Sequence, residues 1–189
     1  MADTREALAG EAVSQRYGRL HSILHWILAL LVMLLLGAGL ILLHNTPDSE
    51  PEKVQMLRGH MAMGLLVFAI LHYTLFKAYI RRELPAPASS GNAQLDLLAK
   101  VVHHGLRLLT LGMVVSGIGM SIMAGLPGIV FGGAADRIPE ITQSLPPFKA
   151  HALIARILLV VVLLHILGAL FHALVKRDGI FRRISPFRR

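Results

Sequence analysis

The sequence predicts an all-α membrane protein, a bundle of four transmembrane helices with both termini in the cytoplasm, and three observations predict it. Of 189 residues, 54% are hydrophobic and only 16% charged. The mean hydropathy is +0.62, which implies more apolar surface than one small soluble core can hide. The apolar residues gather into four long stretches, and the Lys and Arg residues divide unequally between alternate connections.

The four stretches run from about 21 to 43, 58 to 80, 101 to 124 and 151 to 175. Each is long enough to cross a hydrocarbon layer of ~30 Å as a helix of roughly 20 residues. Lipid offers no hydrogen-bond partners to a bare backbone, so each must be a helix rather than an open strand. The chain therefore reads as one membrane domain over 1–189, with a polar head at 1–15 and a basic tail at 176–189. The head mixes Asp3, Arg5, Glu6 and Glu11, too polar for a secretory signal, so the first helix is expected to remain as an anchor.

A net charge of +8 raises the question of nucleic acid, and its distribution answers it. Residues 1–20, 77–100 and 176–189 together hold thirteen Lys and Arg, against four (Lys53, Arg58, Arg137 and Lys149) in the other two connections. That is the positive-inside pattern, with both termini cytoplasmic. The basic tail then fits anionic membrane lipids, and nucleic acid is not an expected partner.

The absence of cysteine removes disulfides, thiolate metal sites, iron–sulfur clusters and covalent C-x-x-C-H haem attachment together. Any cofactor must sit on nitrogen or oxygen ligands. The first connection, HNTPDSEPEK, carries Pro47 and Pro51 as helix breakers, and the second, RRELPAPASSGNAQ, reads as a flexible link. The third, from about 125 to 150, contains GLPG, FGG and LPP. Its length suggests that it folds back onto the membrane face and covers something.

Ten histidines remain to be explained, and topology sorts them by depth. His21 and His25 open the first helix near the cytoplasmic face, whereas His60 and His151 lie near the outer face and His165 lies deeper in the last helix. His151 and His165 are fourteen residues apart, which is roughly 21 Å of helix and a return to within about 40° of the same face. One helix thus offers an upper and a lower ligand. His60 is the upper partner from the second helix, and His25 or His21 the lower partner from the first.

A single zinc ion needs three or four ligands converging at about 2.1 Å, which two couples so far apart cannot supply. Hydrated or carboxylate-completed metal sites would want Asp or Glu inside the spans, and the four stretches have none. Haem needs only two axial nitrogens, because its macrocycle supplies the rest. The count favours two bis-histidine haems, with a histidine-based metal transporter or sensor without haem as the alternative. A porphyrin lying on a helix also needs a small side chain one turn from its ligand. Ala29, Gly64, Ala155 and Ala169 stand four residues beyond His25, His60, His151 and His165, which prefers His25 over His21.

Arg107 and Arg156 are the charges inside the helices, and with no carboxylate in the spans they call for anionic partners such as haem propionates. Arg58 and Lys149 each sit two residues from an outer histidine and are further candidates. Gly105, Gly112, Ser116, Gly117 and Gly119 on the third helix read first as small residues for close helix packing. Trp26 reads as an interfacial anchor, with a place beside the inner haem or a quinone as the other reading. The remaining histidines, among them His72, His103, His104 and His172, are expected to bond a carbonyl of a neighbouring helix or sit at the interface.

These features resemble the prokaryotic cytochrome b561 family of four-helix, two-haem membrane cytochromes, whose members include a quinone-linked superoxide oxidase. The resemblance spans about residues 16 to 183. It rests on RYGRLHSILHWILA, on GHMAMGLL opening the second helix, on FKAHALIARILLVVVLLH with its histidines fourteen apart, and on the basic tail. It implies that His25 and His165 ligate a cytoplasmic-side haem b and His60 and His151 an outer-side haem b. It also implies a bacterial inner-membrane location and electron transfer between a donor or acceptor at the outer face and ubiquinone. One departure bears on the donor. An oxidase for the superoxide anion would benefit from a positive funnel, yet Asp48, Glu50, Glu52, Asp136 and Glu140 balance the outer Lys and Arg residues. A haem-carrying membrane anchor for a partner oxidoreductase subunit is therefore kept as a second expectation.

Overall fold

Four long helices cross and recross one slab in a computed structural model that describes residues 16–81 and 89–187. They are α1 (Arg19–Leu43), α2 (Pro51–Ile80), α3 (Ala93–Met123) and α5 (Pro146–Lys176), with the short α4 (Leu126–Val130) between the last two. Two 3₁₀ turns, Glu140–Ser144 and Ile180–Ile184, complete the regular structure, and no strand occurs among the described residues. The polar head at 1–15, the middle of the second connection (82–88) and the last two residues of the tail lie outside the described residues.

Each long helix begins before its apolar stretch: two residues earlier for α1, seven for α2, eight for α3 and five for α5. Hydropathy marks only the part that meets hydrocarbon, whereas the polar turns at the surface are helical for local reasons. Pro51 and Pro146 occupy the first helical position, where the missing N–H costs nothing. Pro51 therefore starts a helix, correcting its reading as a breaker. Asn92 caps α3 by accepting from the backbone N–H groups of Gln94 (2.9 Å) and Leu95 (3.2 Å).

The helices face outward with apolar side chains. Leu30, Leu108 and Ile122 are 61%, 69% and 71% exposed, which is untenable in water and ordinary against lipid tails. Inside, the closest packing joins α3 to α5. A Cβ on Gly105, Gly112 or Gly119 would meet Val161, Ile154 or Pro147, at 3.8, 3.2 and 3.6 Å. Both rows advance by seven residues in opposite directions, so the three glycines line the face on which α5 lies, and close approach requires the small residue at Gly112, while a Cβ at the other two would make ordinary contact. Leu36, Ala155, Leu158 and Val162 fill the adjacent core, and Leu31, Val67 and Ile70 join α1 to α2.

The third connection does fold back onto the bundle. Leu126, Val130, Ile138 and Leu145 form a buried cluster with Val54 of α2 and Ala124. Asp48 clamps it, pairing with Lys53 (2.6 Å), accepting from Gln143 (2.6 Å) and offering its carbonyl to the Ile138 N–H (2.9 Å). At the opposite face, the tail returns to the start of α1. The Tyr17 N–H donates to the Arg183 carbonyl (3.2 Å) and Trp26 Nε1 donates to the Ile184 carbonyl (3.1 Å). Arg183 is buried, with its guanidinium 5.8 Å from the centre of the Tyr17 ring. This tail residue is thus part of the fold rather than a lipid contact, because the 3₁₀ turn aims it back at the bundle.

Candidate functional site

Two couples of imidazoles meet inside the bundle. The ring centres of His25 (α1) and His165 (α5) are 6.3 Å apart with planes at 71°, and those of His60 (α2) and His151 (α5) are also 6.3 Å apart with planes at 66°. All four are partly buried. The fourteen-residue interval on α5 separates the couples by roughly 21 Å along the helix axis.

The spacing within each couple has a chemical meaning. A metal–imidazole bond of about 2 Å on each side, with the bonding nitrogen about 1.1 Å from its ring centre, sets two rings about 6 Å apart across one iron. Edge-on rings in direct contact reach a similar spacing, as Trp26 and Phe181 do at 6.1 Å, so the distance is compatible with an intervening iron without requiring one. The couples therefore fit two-point axial ligation. Among the described residues, no group of three or more His, Asp or Glu converges as a metal site of its own.

The His60–His151 couple borders a cavity of about 340 Å³ whose walls include Gly64, Met113, Gly117, Leu126 and Phe131. Its polarity is confined to the two imidazoles and the hydroxyls of Thr110 and Ser121, in keeping with a site for a large apolar ligand. The third connection supplies Leu126, Pro127 and Phe131 as part of the wall. One glycine shapes a ring's position: a Cβ at Gly117 would stand 3.3 Å from His151 Cε1, closer than ordinary contact, whereas one at Gly39 would make ordinary contact with His60 Cε1 at 3.5 Å. Gly39 lies in the final turns of α1 (Ala38–Leu43), which widen into π-helix, a distortion common at functional sites.

The two rings of this couple differ in their second nitrogen. His151 Nδ1 lies 3.0 Å from Ser116 Oγ. His60 Nδ1 is buried with no hydrogen-bond partner. An apolar cavity bordered by two imidazoles that face each other from different helices fits a haem held by His60 and His151.

Of the small residues one turn from these histidines, Gly64 lines the cavity, and a Cβ there would meet nothing within 4 Å. Ala155 is buried in the core cluster, and Ala29 and Ala169 are half-buried. The basic residues have mixed placements. Arg107 donates to the Tyr79 hydroxyl (2.9 Å) at the terminal face. Arg58 donates to the Val130 carbonyl (2.7 Å) and to Gln55 (3.1 Å), tying α2 to the third connection. Arg156 and Lys149 are exposed. Trp26 pins the tail through Ile184 and meets Phe181 edge-on at 6.1 Å.

His72, His103 and His104 each bond a carbonyl one turn back on their own helix, at 2.8, 2.6 and 2.8 Å, rather than one of a neighbouring helix, because that carbonyl is already within reach of the ring. His172 instead meets Asp178 at 2.6 Å. His103 has a second contact that sequence reasoning missed, its ring centre lying 5.1 Å from that of His165. Depth was the available signal, since His103 lies near the start of the third apolar stretch and His165 in the later half of the fourth, which antiparallel helices bring to a similar level. Ser116 was missed as well, because a serine in a row of glycines reads as packing.

Comparison with known proteins agrees with this geometry. The chain is 27% identical over 177 residues to the "Probable superoxide oxidase CybB" of Yersinia pestis, an alignment covering 93% of this chain and 98% of the relative. No solved structure matches significantly. The profile of the prokaryotic cytochrome b561 family matches residues 16–186, nearly the whole described length and all four long helices. With four helices able to span a membrane and paired histidines inside them, this chain belongs to the prokaryotic cytochrome b561 family and is a multi-pass bacterial membrane haem cytochrome.

Proposed function

We propose that the chain binds two haems b and carries electrons between a small donor at the outer face of the inner membrane and ubiquinone, as a superoxide:ubiquinone oxidoreductase. His25 and His165 would hold the haem on the cytoplasmic side, and His60 and His151 the haem on the outer side. The observation that carries the reading is the repeated 6.3 Å couple, built twice with α5 contributing to both. The relative's printed name supports superoxide as the donor.

When bound, haem b supplies reversible one-electron chemistry. The chain's own contribution is placement and exclusion of water. α5 fixes two histidines on one face, and the glycine-lined face of α3 packs close behind them. Leu126, Pro127 and Phe131 wall the outer cavity, keeping it apolar. Arg58 and Lys149, near the outer couple, and Arg107 and Arg156, within the helices, are the candidate partners for propionates. The overall reaction balances with two superoxide anions giving one electron each and leaving as dioxygen. Ubiquinone takes both electrons with two protons to become ubiquinol.

The test is direct. Purified haem-loaded protein, given generated superoxide and a soluble ubiquinone, is expected to form ubiquinol in proportion to protein concentration. A fully haem-loaded preparation that forms none would overturn the superoxide assignment.

A second reading, a haem-carrying anchor for a partner oxidoreductase subunit, is favoured by one observation. Lys53 is neutralised by Asp48 at 2.6 Å, and Arg137 has Asp136 at 3.7 Å, so these outer cations add little to a field that would draw in an anion. Co-purification of a partner on which activity depends would establish that reading.

A further inference from the structure

Ser116 is a residue whose hydrogen bonds can be counted. Its hydroxyl has one hydrogen. Two carbonyls surround it, Gly112 at 2.6 Å and Met113 at 3.2 Å, and a carbonyl can only accept. The hydrogen is therefore committed to the helix's own backbone, as buried helical serines commonly arrange. Ser116 Oγ then has only lone pairs left for His151 Nδ1, 3.0 Å away on α5.

It follows that the proton of the neutral His151 ring sits on Nδ1, directed at Ser116 Oγ with the Met113 carbonyl as a further acceptor, and that Nε2 presents its lone pair to the cavity. The facing ring has no such device, since His60 Nδ1 is buried without a partner. Gly117, adjacent to Ser116, completes the arrangement by letting the ring approach α3, where a Cβ would stand 3.6 Å from the same Nδ1.

We propose that Ser116 is a positioning residue for the outer haem, fixing the tautomer and tilt of His151 and making it the stronger donor of two unequal axial ligands. A ring whose N–H is hydrogen-bonded is a more basic ligand at its other nitrogen. A more basic ligand favours ferric over ferrous iron, so the bond from His151 to Ser116 lowers the outer haem's reduction potential. The inference rests on the two-haem reading above.

The experiment is a redox titration of detergent-solubilised holoprotein, followed in the α band, for wild type, Ser116→Ala and Ser116→Thr, with haem per chain measured on each. Ser116→Ala is expected to keep both haems. It should shift the ferric-to-ferrous balance of one haem about tenfold toward ferrous, a rise of about 59 mV for a one-electron couple. The other haem should stay unchanged as the internal control, and the low-spin ferric resonance of the shifted haem should move. Ser116→Thr, which keeps an Oγ, should restore the wild-type potential. Wild-type protein with two haems and a Ser116→Ala variant with unchanged potentials and spectrum would overturn the role of Ser116. Wild-type protein without two haems would instead overturn the reading on which it rests.

Discussion

His151 and His165 stand fourteen residues apart on α5 and each meets a histidine from a different helix at the same 6.3 Å separation, His60 of α2 for the first and His25 of α1 for the second. One helix thereby contributes to both couples, while each couple has a second histidine of its own. Substitutions at these second histidines should separate the two proposed sites cleanly.

His60→Ala is expected to lose the outer haem and keep the inner one, and His25→Ala the reverse. Haem content of each purified variant, by pyridine haemochrome assay, should fall from two to one per chain. Loss of both or of neither in either variant would refute the pairing.

Gly64 faces cavity rather than protein, with nothing within 4 Å of an added Cβ. Gly64→Leu should therefore fill space that the haem requires without disturbing helix packing. The expected result is loss of the outer haem with no drop in the thermal stability of the haem-free protein.

Gly112 behaves oppositely, because a Cβ there would stand 3.2 Å from Ile154 Cδ1. Gly112→Leu should wedge α3 from α5 and destabilise the bundle by about 1–3 kcal/mol, as overpacking of tight interfaces does. The signature is an earlier thermal transition in detergent.

Asp48 holds the third connection against α2 through Lys53, Gln143 and the Ile138 N–H. Asp48→Ala leaves the backbone bond intact but removes the carboxylate from Gln143 and from a partly buried Lys53, which keeps only the Thr46 carbonyl (2.6 Å), at a cost of about 1–3 kcal/mol. Limited proteolysis between residues 131 and 141 should become faster, with α1 and α5 uncut.

Much of this architecture was legible in the residues, and the illegible parts share a cause. Hydropathy located the four spans because hydrocarbon selects composition directly, and the fourteen-residue interval placed His151 and His165 because helix geometry is local. α2, α3 and α5 start ahead of their apolar stretches because Pro51, the Asn92 cap and Pro146 open them from polar turns that carry no hydropathy signal. The bond from His151 to Ser116 and the approach of His103 to His165 depend on how α3 sits against α5. No periodicity within one segment encodes that relation. Arg183 departs from the tail reading for a similar reason, since it belongs to a basic cluster by composition and to the Tyr17–Trp26 corner by tertiary contact.

The number of haems b per polypeptide in the purified chain tests the paired-ligand account most directly. A pyridine haemochrome assay against protein concentration should return two. A value of one or zero in freshly purified, folded protein would contradict it.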